Sequence, residues 1–268
     1  MWKGLIAYLL PFVLLQYGMG TPDWGILAFP VSLTAVVALL ALLFVCEREW
    51  GRRRWMVEFR SPRMACRLLF LTLLACLVGG LGWTKLFSSW PFAALLAALM
   101  AHLALLLIHR LLHFSWRRDG DFVLVHGGLW LALVSGTVGA ADAFEWRALV
   151  GRTAADTKVY DTKGWMQHLP YTLQMEEFRV ETHVLEGTPT QYAATLLLDG
   201  KPVPVAVNEP YPVRAGEDIY LMSFQRDEET GEVLYCVLQI VHEPWKYPML
   251  AGIVLLLAGV GVRLLKLK

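Results

Sequence analysis

The sequence predicts a membrane-embedded α-helical bundle of about six spanning helices, with one all-β domain, a sandwich or small barrel, inserted before the last helix. Three observations predict it. The chain is 56% hydrophobic over 268 residues, above the roughly 45–50% of a soluble domain. Five apolar runs reach or approach the roughly 20 residues that cross about 30 Å of hydrocarbon. The loops between the runs sort by charge, with Lys and Arg collected in alternate loops, as short cytoplasmic loops require.

The long runs lie near 24–46, 67–84, 90–111, 122–141 and 247–264. A shorter run, Leu5 to Gly18, contains Pro11. Lys3 precedes it, as in a signal peptide, but no small-x-small cleavage site follows, so it reads as a first spanning helix. Arg48, Arg52, Arg53, Arg54, Arg60, Arg63 and Arg67 separate the second and third runs. Arg110, Arg117 and Arg118 stand between the fourth and fifth, and Arg263, Lys266 and Lys268 close the last. The intervening loops, 19–23 and 85–89, carry one Lys between them. Six spans with both termini in the cytoplasm satisfy every loop and place residues 142–246 outside. The expected divisions are therefore 1–141, a helical region; 142–246, an extracytoplasmic β domain; and 247–268, a last helix. Trp24, Trp50, Trp55, Trp83, Trp90, Trp116, Trp146 and Trp245 lie near run ends, where half-wet aromatic rings favour the headgroup level.

The outer segment changes period. Residues 171–183, 191–198, 201–207, 218–225 and 233–242 read as strands, rich in β-branched and aromatic side chains. Asp199-Gly200 is a two-residue hairpin signal, and Glu228–Gly231 is a second turn. The run 233–242 is apolar on both faces and reads as a central strand. Pro202 and Pro204 place 201–207 at an edge. Four cysteines occur without C-x-x-C, so no thiol-redox motif is present, and Cys236 reads as a buried strand residue.

A net charge of +1 without a basic stripe argues against a nucleic-acid partner. There is no G-x-S-x-G, H-E-x-x-H, P-loop or dinucleotide fingerprint. The candidates are histidines. His102, His109 and His113 lie on the fourth span, seven and then four residues apart, which puts them on one helical face. His126 opens the fifth span, just past the expected 114–121 loop. Ionisable groups in a membrane usually face the bundle interior, and facing imidazoles ligate haem iron axially. The plainer readings are interfacial anchoring for His109 and His113 and a helix–helix hydrogen bond for His102. Gly127, Gly128, Gly136 and Gly139 leave room for a flat ligand, and equally suit close helix packing. His168, His183 and His242 lack metal-ligand spacing and read as ordinary surface or strand residues. Glu176-Glu177 reads as a solvated pair. The residues alone lead to a membrane protein with an outer β domain and a haem or quinone site.

The second half, roughly residues 122–264, resembles the ResB family (also called CcsB). Residues 122–136, with His126-Gly127-Gly128-Leu129, are similar to that family's His-Leu-Gly-Leu helix. Leu169-Pro170-Tyr171 with Glu177-Phe178 resembles its Leu-Pro-Phe…Asp-Phe strand. Val205 to Asn208-Glu209-Pro210-Tyr211, then Gly216 to Tyr220 and Ser223-Phe224, resemble its later strands. His242-Glu243-Pro244-Trp245 resembles its Asp-Pro-Trp entry to the last helix. The resemblance implies a haem transport and delivery subunit for cytochrome c maturation in the bacterial cytoplasmic membrane. Its implied cargo is haem b, and its implied partners are a ResC/CcsA-type haem lyase subunit, apocytochrome c and lipid. It implies that His126 is the transmembrane haem ligand, with His102, His109 and His113 as further candidates. The chain departs from the family in its short outer domain, two extra N-terminal spans, Glu243 for Asp and Tyr171 for Phe. It also lacks the tryptophan-rich haem-presenting motif of the partner, which implies a non-catalytic subunit. Two alternatives stand beside this reading: a b-type haem or quinol electron-transfer protein, and a membrane scaffold with a partner-binding β domain.

Overall fold

The structure, a computed structural model, describes residues 2–182 and 189–266. Two compact units emerge, one of Met1–Ala141 with Trp245–Lys268 and one of Asp142–Pro244.

The helical unit contains α1 (Trp2–Met19), α2 (Val31–Trp50), α3 (Arg54–Phe59), α4 (Pro62–Gly80), α5 (Trp90–Leu111), α6 (Trp116–Val138) and α7 (Lys246–Lys266). Local chemistry sets the starts. Ser61 caps α4 by accepting the Met64 N–H, and Ser89 caps α5 by accepting the Phe92 N–H. Pro62 and Pro91 follow at the first turn, where a missing N–H costs nothing. The second expected span begins later than its apolar run. Asp23 caps a 3-10 turn over Trp24–Leu27, and α2 starts only after Pro30. The expected 114–121 loop is largely helix, because α6 begins at Trp116.

Among the described residues, five helices (α2, α4, α5, α6 and α7) are long and apolar enough to cross a membrane. The first apolar segment is shorter. At 18 residues, α1 rises about 27 Å. It runs antiparallel along α5: Tyr8 Oη donates to the Ala94 carbonyl at 3.1 Å, and the Trp90 N–H donates to Gln16 Oε1 at 3.0 Å. Leu5 joins Leu68, Leu95 and Leu99 in one core.

The basic loops lie together at one end of the bundle. Arg60 bonds Glu47 of α2, Arg110 of α5 bonds Asp119 of α6, and Arg263 and Lys266 of α7 pair with Asp121 of α6. The other end is aromatic: Trp24 Nε1 donates to the Ser88 carbonyl at 3.1 Å, and the rings of Trp24 and Trp90 are 5.6 Å apart. Glycines let α6 and α7 touch backbone to backbone. A Cβ on Gly128 would stand 2.4 Å from the Gly252 carbonyl oxygen, and one on Gly139 would strike the Trp245 side chain at 2.5 Å. Of the two roles open to these glycines, Gly128 and Gly139 take close packing.

The β unit is one antiparallel sheet of eight strands in the order β5-β4-β3-β2-β1-β8-β7-β6. These are β1 (Phe144–Gly151), β2 (Asp156–Asp161), β3 (Met166–Thr182), β4 (Pro189–Leu198), β5 (Lys201–Ala206), β6 (Tyr211–Arg214), β7 (Glu217–Arg226) and β8 (Val233–His242). The sheet curls around a single core, so that Tyr192 Oη of β4 donates to the Met222 carbonyl of β7 at 2.6 Å. β8 is an inner strand with Cys236, Leu238 and Ile240 fully buried. β5, with Pro202 and Pro204, is an edge strand. Asp199 and Gly200 both take positive φ, 48° and 77°, as a type I′ hairpin needs. Asp227 and Glu232 close the second turn. Glu176 and Glu177 are both exposed beside a bulge in β3. β1, β2 and β6 were not expected from sequence, and His183 lies outside the described residues.

Candidate functional site

At the basic end of the bundle, a cavity of about 850 Å³ is lined by His102, His109, His113 and His126. That volume falls within the roughly 300–1,000 Å³ of small-molecule sites. The four histidines singled out in the sequence therefore meet in one place. Their positions differ from the expected ones in two ways. His113 lies just past the end of α5, where its N–H bonds the Arg110 carbonyl, rather than on the span. His126 does not open α6; it lies about 15 Å along it, ten residues after Trp116.

Three of the four imidazoles, one buried (His102), one half-buried (His126) and one exposed (His109), are oriented by a bond at Nδ1. His102 is 1% exposed, and its Nδ1 lies 2.7 Å from the Phe59 carbonyl. That carbonyl belongs to the last residue of α3, where a helix leaves oxygens without an intrahelical donor. The Phe59 ring also meets His102 edge-on, with centroids 5.7 Å apart. Since a carbonyl only accepts, Nδ1 carries the proton. Nε2 keeps its lone pair, and it is buried without a hydrogen-bond partner. His126 follows the same pattern: Nδ1 stands 3.0 Å from the Phe122 carbonyl one turn back, and the ring stacks on Phe122 at 3.9 Å. His109 Nδ1 lies 2.8 Å from Glu47 Oε1. In all three, Nε2 is the nitrogen that keeps its lone pair, and metal-ligating histidines are typically held this way by a carbonyl or carboxylate on the other nitrogen. His113 meets His109 edge-to-face at 6.4 Å.

The wall also carries three cations, Arg60, Arg110 and Arg118. Arg60 Nη1 donates to Glu47 Oε1 and Nη2 to the Gly51 carbonyl, both at 2.7 Å. Asp119, 1% exposed, accepts from Arg110, Arg118 and the Ser115 N–H, which ties the α5–α6 turn. The Arg110 guanidinium sits 5.0 Å over the Phe122 ring. Apolar Val57, Ala65 and Leu106 complete the wall. Among the described residues, no group of three or more His, Cys, Asp or Glu is placed to hold a bare metal ion. The nitrogens are instead spread around a wide, partly apolar space.

Sequence reasoning missed Glu47, Phe59 and the role of Arg60. The Arg residues of that loop read only as topological charge. Glu47 carried a usable signal: it is an acid at the end of an apolar span, and such groups are rarely idle.

The outer histidines are placed otherwise. His168 Nδ1 lies 2.9 Å from Thr157 Oγ1 on the exposed sheet. His242 stacks on Phe144 at 4.5 Å and stands 3.3 Å from buried Glu217.

Comparison with known proteins separates these parts. Residues 115–237 match the model of the ResB-like family. That stretch is just under half of the chain and includes His126, α6 and the β unit up to β8. The ResB resemblance read from the residues is thus borne out over this region. No curated protein matches the chain. Among solved structures, one titled Cytochrome c Heme Lyase CcmF is similar at 18% identity and a TM-score of 0.39, covering 74% of this chain and 34% of that one. The chain spans about a third of that protein's length.

Proposed function

We propose that this chain is a membrane subunit of cytochrome c maturation that receives haem b at the cytoplasmic face and holds it in the histidine cavity for a ResC/CcsA-type lyase subunit. The observation that carries the reading is His102. Its Nε2 is buried, directed by a carbonyl on Nδ1, and without a partner, in a cavity shared with three more histidines. A buried polar atom left bare costs about 1–3 kcal/mol, and a ligand that accepts its lone pair removes that cost. An iron porphyrin fits the donor set: imidazole nitrogen for the metal, apolar wall and stacked Phe122 for the ring, and Arg60, Arg110 and Arg118 for the carboxylates.

His126, within the ResB-like stretch, is the proposed ligand together with one of His102 and His109. The neutral imidazoles bind the iron, and the arginines orient the carboxylates. Six spans with α1 included, and the gathering of the basic loops at the cavity end, support an orientation with both termini and the cavity end of the bundle at the cytoplasmic face and the β unit on the other side. The β unit is then free to meet the partner or apocytochrome c. Haem leaves to the partner, where the covalent step takes place.

The test is the haem content of the purified complex. Replacing His126 by Ala lowers copurifying haem while the complex still assembles. Haem content equal to wild type would reject the role of His126.

A further inference from the structure

The geometry points to Glu47 as a positioning residue that orients His109 and strengthens it as an iron donor; this rests on the haem reading above. Glu47 is a carboxylate on the last turn of a long, mostly apolar span, and its side chain is only 3% exposed. One oxygen, Oε1, accepts from His109 Nδ1 at 2.8 Å and from Arg60 Nη1 at 2.7 Å. The other, Oε2, is buried with no partner. An acid used only to neutralise Arg60 would be served by the arginine's own fork; here the shared oxygen turns toward an imidazole that lines the cavity. The bond fixes the proton on Nδ1 and leaves Nε2 to coordinate.

The neighbouring glycine leaves room for that oxygen. A Cβ on Gly51 would stand 2.7 Å from Glu47 Oε1 and 2.3 Å from the Glu47 carbonyl oxygen. Arg60 is anchored from the same side through its bond to the Gly51 carbonyl. Arg60 thus sets how much negative charge reaches the imidazole. An anionic acceptor on Nδ1 makes Nε2 a stronger donor, which favours ferric over ferrous iron.

The full chain in detergent, loaded with haemin, tests this as wild type, Glu47→Gln, His109→Ala and the double variant. Glu47→Gln keeps an acceptor but loses the charge. It is expected to weaken haemin binding by about ten- to hundred-fold and to raise the midpoint potential. In the His109→Ala background it should change neither. Wild-type affinity and potential in Glu47→Gln, or an effect of full size without His109, would overturn the assignment and leave the haem reading standing. If wild type takes up no haemin, the haem reading itself falls. Glu47→Asp, which withdraws the carboxylate by one methylene, is the second variant, should Glu47→Gln fail to fold. It displaces the same oxygen and is expected to raise the potential only where His109 is present; an unchanged potential would overturn the assignment.

Discussion

Two buried polar groups mark the difference between the helical and the β unit. Glu217 in β7 is 0% exposed and fully engaged: Tyr171 Oη donates to one oxygen at 2.8 Å, and Arg214 donates to the other at 2.6 Å. His102 in α5 is 1% exposed, yet one of its two ring nitrogens is left bare. A satisfied buried network is a structural device. A half-satisfied imidazole on a cavity wall has unused bonding capacity, and that is where ligand chemistry is sought. Glu217 closes a network within the β unit, while the bare nitrogen of His102 belongs to a residue that lines a cavity.

The largest expected effect breaks this contrast on the bundle side. His102→Ala removes the bare nitrogen and should lower haemin affinity by more than about tenfold, at or above the loss caused by removing an outer partner. A haemin titration followed at the Soret band checks it, and affinity within twofold of wild type would place His102 among packing residues. On the β side, Glu217→Ala orphans the buried Tyr171 hydroxyl and should cost about 1–3 kcal/mol of β-unit stability with haemin affinity unchanged. Denaturant unfolding of the full chain reads the first quantity, and the same titration the second.

Much of this was legible in the sequence because its signals are periodic. The long apolar runs, the Asp199-Gly200 hairpin, the edge prolines of β5 and the inner strand β8 each follow from local pattern. The four histidines were recognisable because imidazoles are rare in apolar runs, and the cavity does bring them together. What was not legible depends on long-range contact. β2 has Val159 as its buried residue and little alternation, whereas β1 does alternate, with Phe144, Trp146, Ala148 and Val150 on one face, and carried a period-2 signal that went unread. β6 is four residues with a proline. The bonds that orient His102 and His109 come from residues 43 and 62 positions away, and no spacing rule connects them. Gly128 looked open beside His126, but whether a glycine makes room for a ligand or a helix depends on what faces it, here Gly252.

Smaller effects sharpen the contrast. Gly128→Leu drives a side chain into the α7 backbone and should cost about 1–3 kcal/mol by overpacking, read as a lower thermal midpoint in detergent. A wild-type midpoint would mean that α6 and α7 do not meet as described. In the β core, burial pushes the Cys236 thiol up to about 12. Its folded value lies above its unfolded one, so its contribution to stability is complete below the ordinary thiol range and is lost as pH rises toward about 12. Native Cys236 should therefore resist alkylation at pH 8.5 and react after unfolding. Labelling of native Cys236 itself at the unfolded rate, read at its own peptide apart from the exposed Cys66 and Cys76, would contradict its burial. The smallest effect belongs to the exposed Glu177–Arg179 pair. Glu177→Ala should leave the denaturant midpoint of unfolding unchanged, and a clear downward shift would show that this face is covered.

The visible absorption spectrum of the purified chain, with and without a ResC-like partner, tests the central claim most directly. The account predicts a Soret band and the paired visible bands of bis-imidazole haem in wild type, both strongly reduced when His102 and His126 are replaced together. A colourless wild-type protein that retains no haem after haemin is added with the partner present and the unbound haemin is removed, or an unchanged spectrum in the double variant, would contradict it.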